Sequence, residues 1–139
     1  MREPFAVLNV GGELALRRTI TMALVRHGID VAEADSVAGA QEALAAWDGA
    51  FDVIVLDVCL RDQSGWDLLR RLRAQRSDRA RRDGAIPVIV LTGGLPKQCQ
   101  VDELHPDAVL PRPFPITTLV RLVERLAARH AAYPQAANA

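Results

Sequence analysis

The chain has 139 residues, 50% of them hydrophobic, and its 17 Lys plus Arg balance 17 Asp plus Glu. That is apolar material for one core, with no room for a second folding unit, so residues 1–139 are expected to form a single domain. Balanced charge excludes a global field that would draw the protein to nucleic acid or to a membrane surface.

In chain order, short apolar runs alternate with segments of helical period. The run from Ala6 to Val10 breaks at Gly11 and Gly12, and from Glu13 onward Leu16, Ile20 and Leu24 form a helical stripe that Gly28 stops at a C′ position. Asp30 to Ala34 alternates in polarity and is expected at a sheet edge. Ser36 is placed to cap a helix carrying Ala40, Ala43, Leu44 and Trp47. Asp52 to Asp57 and Pro87 to Thr92 are continuously apolar, as strands buried on both faces of a parallel sheet are. Between them, Gly65 to Arg76 reads as a helix through Leu68, Leu69 and Leu72. Gln98 to Leu104 is a short, weakly patterned helix, and Ala108 to Leu110 a last strand. Pro115 then opens a helix whose Ile116, Leu119, Val123 and Leu126 share a face. Five strand-helix pairs with right-handed crossovers predict an α/β fold, a doubly wound parallel sheet with helices on both faces.

The longest apolar runs are strand-sized and the amino terminus lacks a signal-peptide pattern, so a cytoplasmic protein is expected. Cys59 and Cys99 show no CxxC spacing and are read as reduced thiols without a role.

In such a sheet the carboxyl ends of the strands form the active edge. Gly11 and Gly12, Asp57, Thr92, and Arg112 ahead of Pro113 should therefore converge. An aspartate closing an apolar strand is costly unless exposed or paired. Asp57 is then either a reactive or paired carboxylate or a cap for the following loop. The two glycines either cradle a phosphate or mark a loss.

These residues carry a family resemblance. "FDVIVLDVCLRDQSGWDLLRRLRA" resembles the third strand and helix of a response-regulator receiver domain, "IPVIVLTG" its fourth strand, "DAVLPRPF" its fifth, and "ELALRRTI" the start of its first helix. The likeness spans roughly residues 5 to 130, leaving a short tail over 131–139 that is too small to be an output domain. It implies a flavodoxin-like sheet of order 2-1-3-4-5 with five helices and a role in two-component phosphorelay signalling, not an enzyme. It also implies Asp57 as phosphoacceptor, Thr92 as the switch threonine, Arg112 in place of the phosphate-contacting lysine, and a cis bond before Pro113. The family's metal-binding acidic pair falls on Gly11 and Gly12. Mg²⁺ is expected in the family, but a hard cation needs oxygen ligands that two glycines do not supply, so no metal or other cofactor is expected here. Glu13, one position late, is a substitute ligand to weigh. The family's switch aromatic falls on Val109, and a common proline on Arg61.

The reading is an atypical receiver acting through a protein partner, whether a histidine kinase, a phosphotransfer protein, an output protein or a second copy, with phosphorylation weak or absent. A still-active receiver with an unusual metal shell is one alternative. A small phosphate- or nucleotide-binding protein using "NVGGEL" is another. Residues 70–83 hold seven arginines against Asp78 and Asp83, read as a solvated face or as a site for an acidic partner. With no aromatic residues interleaved, neither nucleic acid nor membrane is expected as a partner. Partner contacts are expected through the first and last helices, where Arg121, Arg125 and Arg129 form a basic stripe. Freed of acidic neighbours, Asp57 is expected to form a standing ion pair with Arg112.

Overall fold

The computed structural model describes residues 4–48, 50–76, 86–94 and 98–132. Along the chain they form β1 (Ala6–Val10), α1 (Leu14–Arg26), β2 (Asp30–Ala34), α2 (Val37–Ala46), β3 (Val53–Asp57), α3 (Gly65–Arg76), β4 (Val88–Thr92), α4 (Gln98–Leu104), β5 (Ala108–Pro111) and α5 (Ile116–Ala132). The strands pair in parallel in the order β2-β1-β3-β4-β5, the expected doubly wound arrangement.

Pattern accounts for position in the sheet. Every residue of β3 and β4 is buried, and successive side chains go to opposite faces. Ile54, Leu56, Val88 and Val90 pack with α2 and α3 residues such as Val37, Leu68 and Leu69. Val53, Val55, Ile89 and Leu91 pack with Ile20 and Leu24 of α1 and with Leu119 and Val123 of α5. The less buried β2 takes one edge, as expected, and the half-buried β5 takes the other.

Local chemistry fixes the helix ends. Ser36 Oγ accepts the Gly39 N–H at 2.9 Å, and Gly28, at φ +78°, follows the C-cap residue His27. A residue with a Cβ is strained there, and glycine is not. Some expectations shift at element boundaries. β3 and β4 begin one residue later than expected, at Val53 and Val88, and β5 runs on to Pro111. Trp47, expected on the core stripe of α2, is instead its C-cap. It remains 39% exposed, with its ring stacked on Phe51 at 4.7 Å between centroids.

Of the α3 arginines, Arg70 and Arg71 are exposed, as a solvated face would be, and Arg73 is more engaged. Arg73 Nε donates to the Leu104 carbonyl at 2.8 Å and Nη2 to that of His105 at 2.7 Å, so a side chain of α3 satisfies carbonyls at the end of α4. Arg70 lies 3.3 Å from Asp67 and 3.8 Å from Glu103. Residues 77–83 of the arginine-rich segment lie outside the described residues, as does the tail from residue 133.

Candidate functional site

The carboxyl ends of β1, β3, β4 and β5 bring the expected residues to one edge. Asp57, the last residue of β3, is only 2% exposed. Its Oδ1 accepts the Cys59 N–H at 2.9 Å. Arg112, just past β5, donates from Nη1 to Oδ2 at 3.3 Å and from Nη2 to Oδ1 at 3.4 Å. The expected ion pair is therefore present, at distances slightly beyond the usual N–H···O range. Its two members differ in environment, since the Arg112 side chain is 27% exposed and that of Asp57 3%.

The charge balance at Asp57 differs from expectation. Burial pushes its carboxyl above the ordinary value, while the Cys59 N–H and the Arg112 guanidinium pull it down without cancelling the effect of burial. The expectation that no like charge remains near Asp57 is corrected by Glu13, exposed at the N-cap of α1, which raises the carboxyl further. The residue after the two glycines thus keeps a carboxylate within electrostatic reach of Asp57.

The two glycines after β1 are unlike each other. A Cβ at Gly11 would meet Arg17 Cβ at 3.7 Å and Asp57 Cβ at 3.8 Å, which are ordinary contacts. A Cβ at Gly12 would lie 2.6 Å from the Cys59 carbonyl oxygen and 3.2 Å from Leu60 Cα, so backbone occupies the space a side chain would take. That close approach is made by a bond from the Gly12 N–H to the Cys59 carbonyl at 3.0 Å. Gly12 is where the β3–α3 loop closes against the end of β1. Its N–H and that of Gly11, which donates to Ala34 O at 2.9 Å, are both taken. A phosphate cradle at these glycines would have to give up those bonds.

Around the same strand end lie three polar residues that the reading of the sequence did not single out. Arg17 donates from Nη1 to the Gly11 carbonyl at 2.7 Å and from Nε to Glu33 Oε1 at 2.8 Å. Burial pushes the Glu33 carboxyl up, but the Thr21 hydroxyl, Arg17 and Arg18 outweigh it and hold the group below its ordinary value. Asn9, 1% exposed, donates from Nδ2 to Arg17 O at 2.9 Å and to Thr21 Oγ1 at 3.0 Å. The one available signal was an amide within the apolar run "AVLNV", since a buried polar group must find partners.

These residues do not fit a Mg²⁺ ion. Gly11 and Gly12 bring no side-chain oxygen, backbone fills the space beside Gly12, and the Cys59 carbonyl and both Asp57 oxygens already accept hydrogen bonds. Among the described residues no group of three or more His, Cys, Asp and Glu is placed to hold a metal.

Thr92, buried at the end of β4, donates its hydroxyl to the Gly94 carbonyl. Val109, where the resemblance placed an aromatic, is half-buried on β5. The Arg112–Pro113 bond is cis, as expected. The loop after Asp57 is anchored elsewhere. Arg61 N–H donates to Asp35 O at 3.1 Å, and Asp62 accepts the N–H groups of Val37 at 2.8 Å and Ala38 at 3.1 Å. Gly65 N–H donates to Val58 O at 2.9 Å, and a Cβ there would sit 2.3 Å from Asp57 O.

The family model described as "Response regulator receiver domain" matches residues 7–124. The chain belongs to the response-regulator receiver domain family. It is 32% identical to the transcriptional regulatory protein CusR of Escherichia coli over 128 residues, covering 91% of this chain and 52% of CusR. Over 121 residues it is 30% identical to the DNA-binding transcriptional regulator NtrC of Rhizobium meliloti, covering 86% of this chain and 23% of that regulator. The chain thus spans about half the length of CusR and a quarter of NtrC. Among solved structures, the non-phosphorylated HemR receiver domain of Leptospira biflexa superposes with a TM-score of 0.73 at 25% identity, covering 89% of this chain and 94% of HemR's. The receiver domain of the Francisella response regulator 1452 gives 0.72 at 28% identity, covering 89% and 97%. This receiver has the family's fold and strand-end aspartate, with glycines and an arginine at neighbouring positions of the site.

Proposed function

We propose that this receiver acts mainly through protein contacts in two-component signalling, with Mg²⁺-dependent phosphorylation of Asp57 weak or absent and no enzymatic activity of its own. The observation that carries the reading is the closure of the Cys59–Leu60 backbone on Gly12, where a metal-binding carboxylate would need room. Phosphoryl transfer needs positive charge on the developing equatorial oxygens, and Arg112, the nearest cation, is already engaged with the acceptor carboxylate. Regulation would then fall to abundance or to partner binding. The reading takes the protein to be cytoplasmic; among the described residues no helix is long and apolar enough to cross a membrane.

Titration with a phosphate mimic, with and without Mg²⁺, tests this, read alongside Asp57 labelling by acetyl phosphate. The expected result is no response to millimolar Mg²⁺ and slow or no labelling. Rapid Mg²⁺-dependent labelling would establish instead a still-active receiver, the reading that the nearness of Glu13 to Asp57 favours.

Receiver domains meet protein partners such as kinases and output domains, and here the proposed surface is α1 with α5. The two helices lie together on one face of the sheet. Leu14, Met22 and Val25, near one stripe of α1, are each more than half exposed. Arg121, Arg125 and Arg129 are exposed on α5. Apolar area beside a basic stripe suits a partner with an acidic rim. Charge reversal at Arg121 and Arg125 is expected to slow association with such a partner. Unchanged rate and salt dependence would rule that surface out.

A further inference from the structure

We infer that Asp62 is a positioning residue, a latch that holds the β3–α3 loop down on Gly12 by capping α2 from 25 residues away in sequence. An α-helix begins with N–H groups that have no partner within the helix. The first turn of α2 contains no acidic residue, and the Ser36 side chain accepts only the Gly39 N–H. Asp62 supplies the rest. Its Oδ1 accepts from Val37 and its Oδ2 from Ala38, while Oδ1 also takes the Gln63 N–H at 2.8 Å, which fixes the turn of the loop itself. The Val37 N–H, with the other amides, keeps this carboxyl below its ordinary value against a smaller opposing effect of burial. It is therefore a charged cap at neutral pH, favourably placed at the positive end of the helix.

The latch acts on the site through the loop backbone. Asp62 lies three residues beyond Cys59, whose carbonyl accepts from Gly12 and whose N–H donates to Asp57. Two other ties join this loop to the β2–α2 turn. The Arg61 N–H donates to the Asp35 carbonyl at 3.1 Å, one backbone bond against the two that Asp62 makes to α2. The side chains of the same two residues form a weaker pair. Arg61 and Asp35 are 3.6 Å apart with 71% and 41% of their side chains exposed, and an exposed pair of that kind contributes little. Docking of Asp62 on α2, with the Arg61 backbone bond beside it, thus helps set how close Cys59 and Leu60 come to β1. It helps hold closed the space a carboxylate at position 12 would need. The inference takes its functional meaning from the reading above, but the loop can be measured by itself.

The test is site-resolved amide hydrogen exchange of the full chain, comparing wild type with Asp62→Ala and Asp62→Asn. Loss of the latch is expected to reduce protection of the Gly12 and Cys59 amides by roughly tenfold, the scale of one net hydrogen bond, while Ile89 in β4 is unchanged. The Asn variant, which keeps one acceptor oxygen but loses the other and the charge, is expected to show a smaller loss of roughly threefold. It also carries the test if the Ala variant folds poorly. A Gly12→Ala substitution made in both backgrounds adds a second measurement. If Asp62 holds the loop down, the fall in the folding equilibrium constant caused by Gly12→Ala should be roughly fivefold smaller in Asp62→Ala than in wild type. Unchanged protection at Gly12 and Cys59, or equal losses in the two backgrounds, would overturn the latch. Neither measurement involves Mg²⁺ or phosphorylation, so a failure here is distinguishable from failure of the proposed function.

Discussion

Two strand ends that reach Asp57, those of β1 and β5, solve opposite problems. Beyond β1 the two glycines bring no side chain and backbone occupies the space beside Gly12, with Gly12 bonded to Cys59 and Arg17 donating to the Gly11 carbonyl. Beyond β5 a cation remains, and the Arg112 fork reaches the buried carboxylate. On the β1 side the geometry is set by steric fit; on the β5 side it is set by the cost of burying a charge. The site thus joins close backbone packing on one side of Asp57 to a guanidinium on the other.

The sharpest way to break the comparison is at the glycines themselves. Gly12→Ala pushes a Cβ into the Cys59 carbonyl and is expected to cost about 2 to 3 kcal/mol by denaturant unfolding, the scale of a strained, overpacked site. Gly11→Ala, with open contacts, is expected to stay within about 1 kcal/mol. Equal costs would mean that the loop yields easily and that closure at Gly12 has no consequence.

Next in size is the ion pair. Removing Arg112 leaves a carboxylate buried without its cation, so Arg112→Ala is expected to destabilise the fold by about 2 kcal/mol at neutral pH. Asp57→Asn leaves behind a guanidinium that is 27% exposed and can be hydrated. Because the Asp57 carboxyl is raised by burial, its charge opposes folding, and the Asn variant is expected to be neutral or more stable by about 1 kcal/mol. If Asp57→Asn proved as damaging as Arg112→Ala, the pair itself would be the main stabilising element.

The smallest effect is on pH dependence, and there two aspartates of one loop region act in opposite directions. Asp57 titrates above its ordinary value of 3.8, so between that value and its raised one the folded state holds more protons than the unfolded chain. Its contribution is therefore fully present below pH 3.8 and is lost as pH rises through the folded value. Asp62 and Glu33 titrate below their ordinary values of 3.8 and 4.5, so their contributions are present above those values and are lost as pH falls through the lowered ones. The stability gain of Asp57→Asn over wild type should accordingly grow from acid toward neutral pH. Asp62→Asn should instead flatten the acid limb of the unfolding profile. A gain for Asp57→Asn that shrank with rising pH would mean that Arg112 and the Cys59 N–H outweigh burial after all.

What the sequence alone determined is what depends on neighbours along the chain. Period-2 and period-3.6 apolar patterns place the strands within a residue or so and locate the longer helices, because burial of one face is decided by spacing within a segment. Ser36 and Gly28 mark helix ends, since caps act over three or four residues. The strand-end positions of Asp57, Thr92 and Arg112 followed once parallel strands were recognised, because all such strands end at one edge. Only the tertiary structure decided which distant groups meet there. Gly12 reads in sequence as an absent ligand, and only the approach of Cys59 shows that a side chain no longer fits. Asp62 looks like a loop acid until α2 is set beside it, and Arg73 looks like surface charge until α4 ends against it. Unpaired N–H and carbonyl groups at helix ends take whichever partner the packing of separate elements brings within about 3 Å, and no local pattern records that choice.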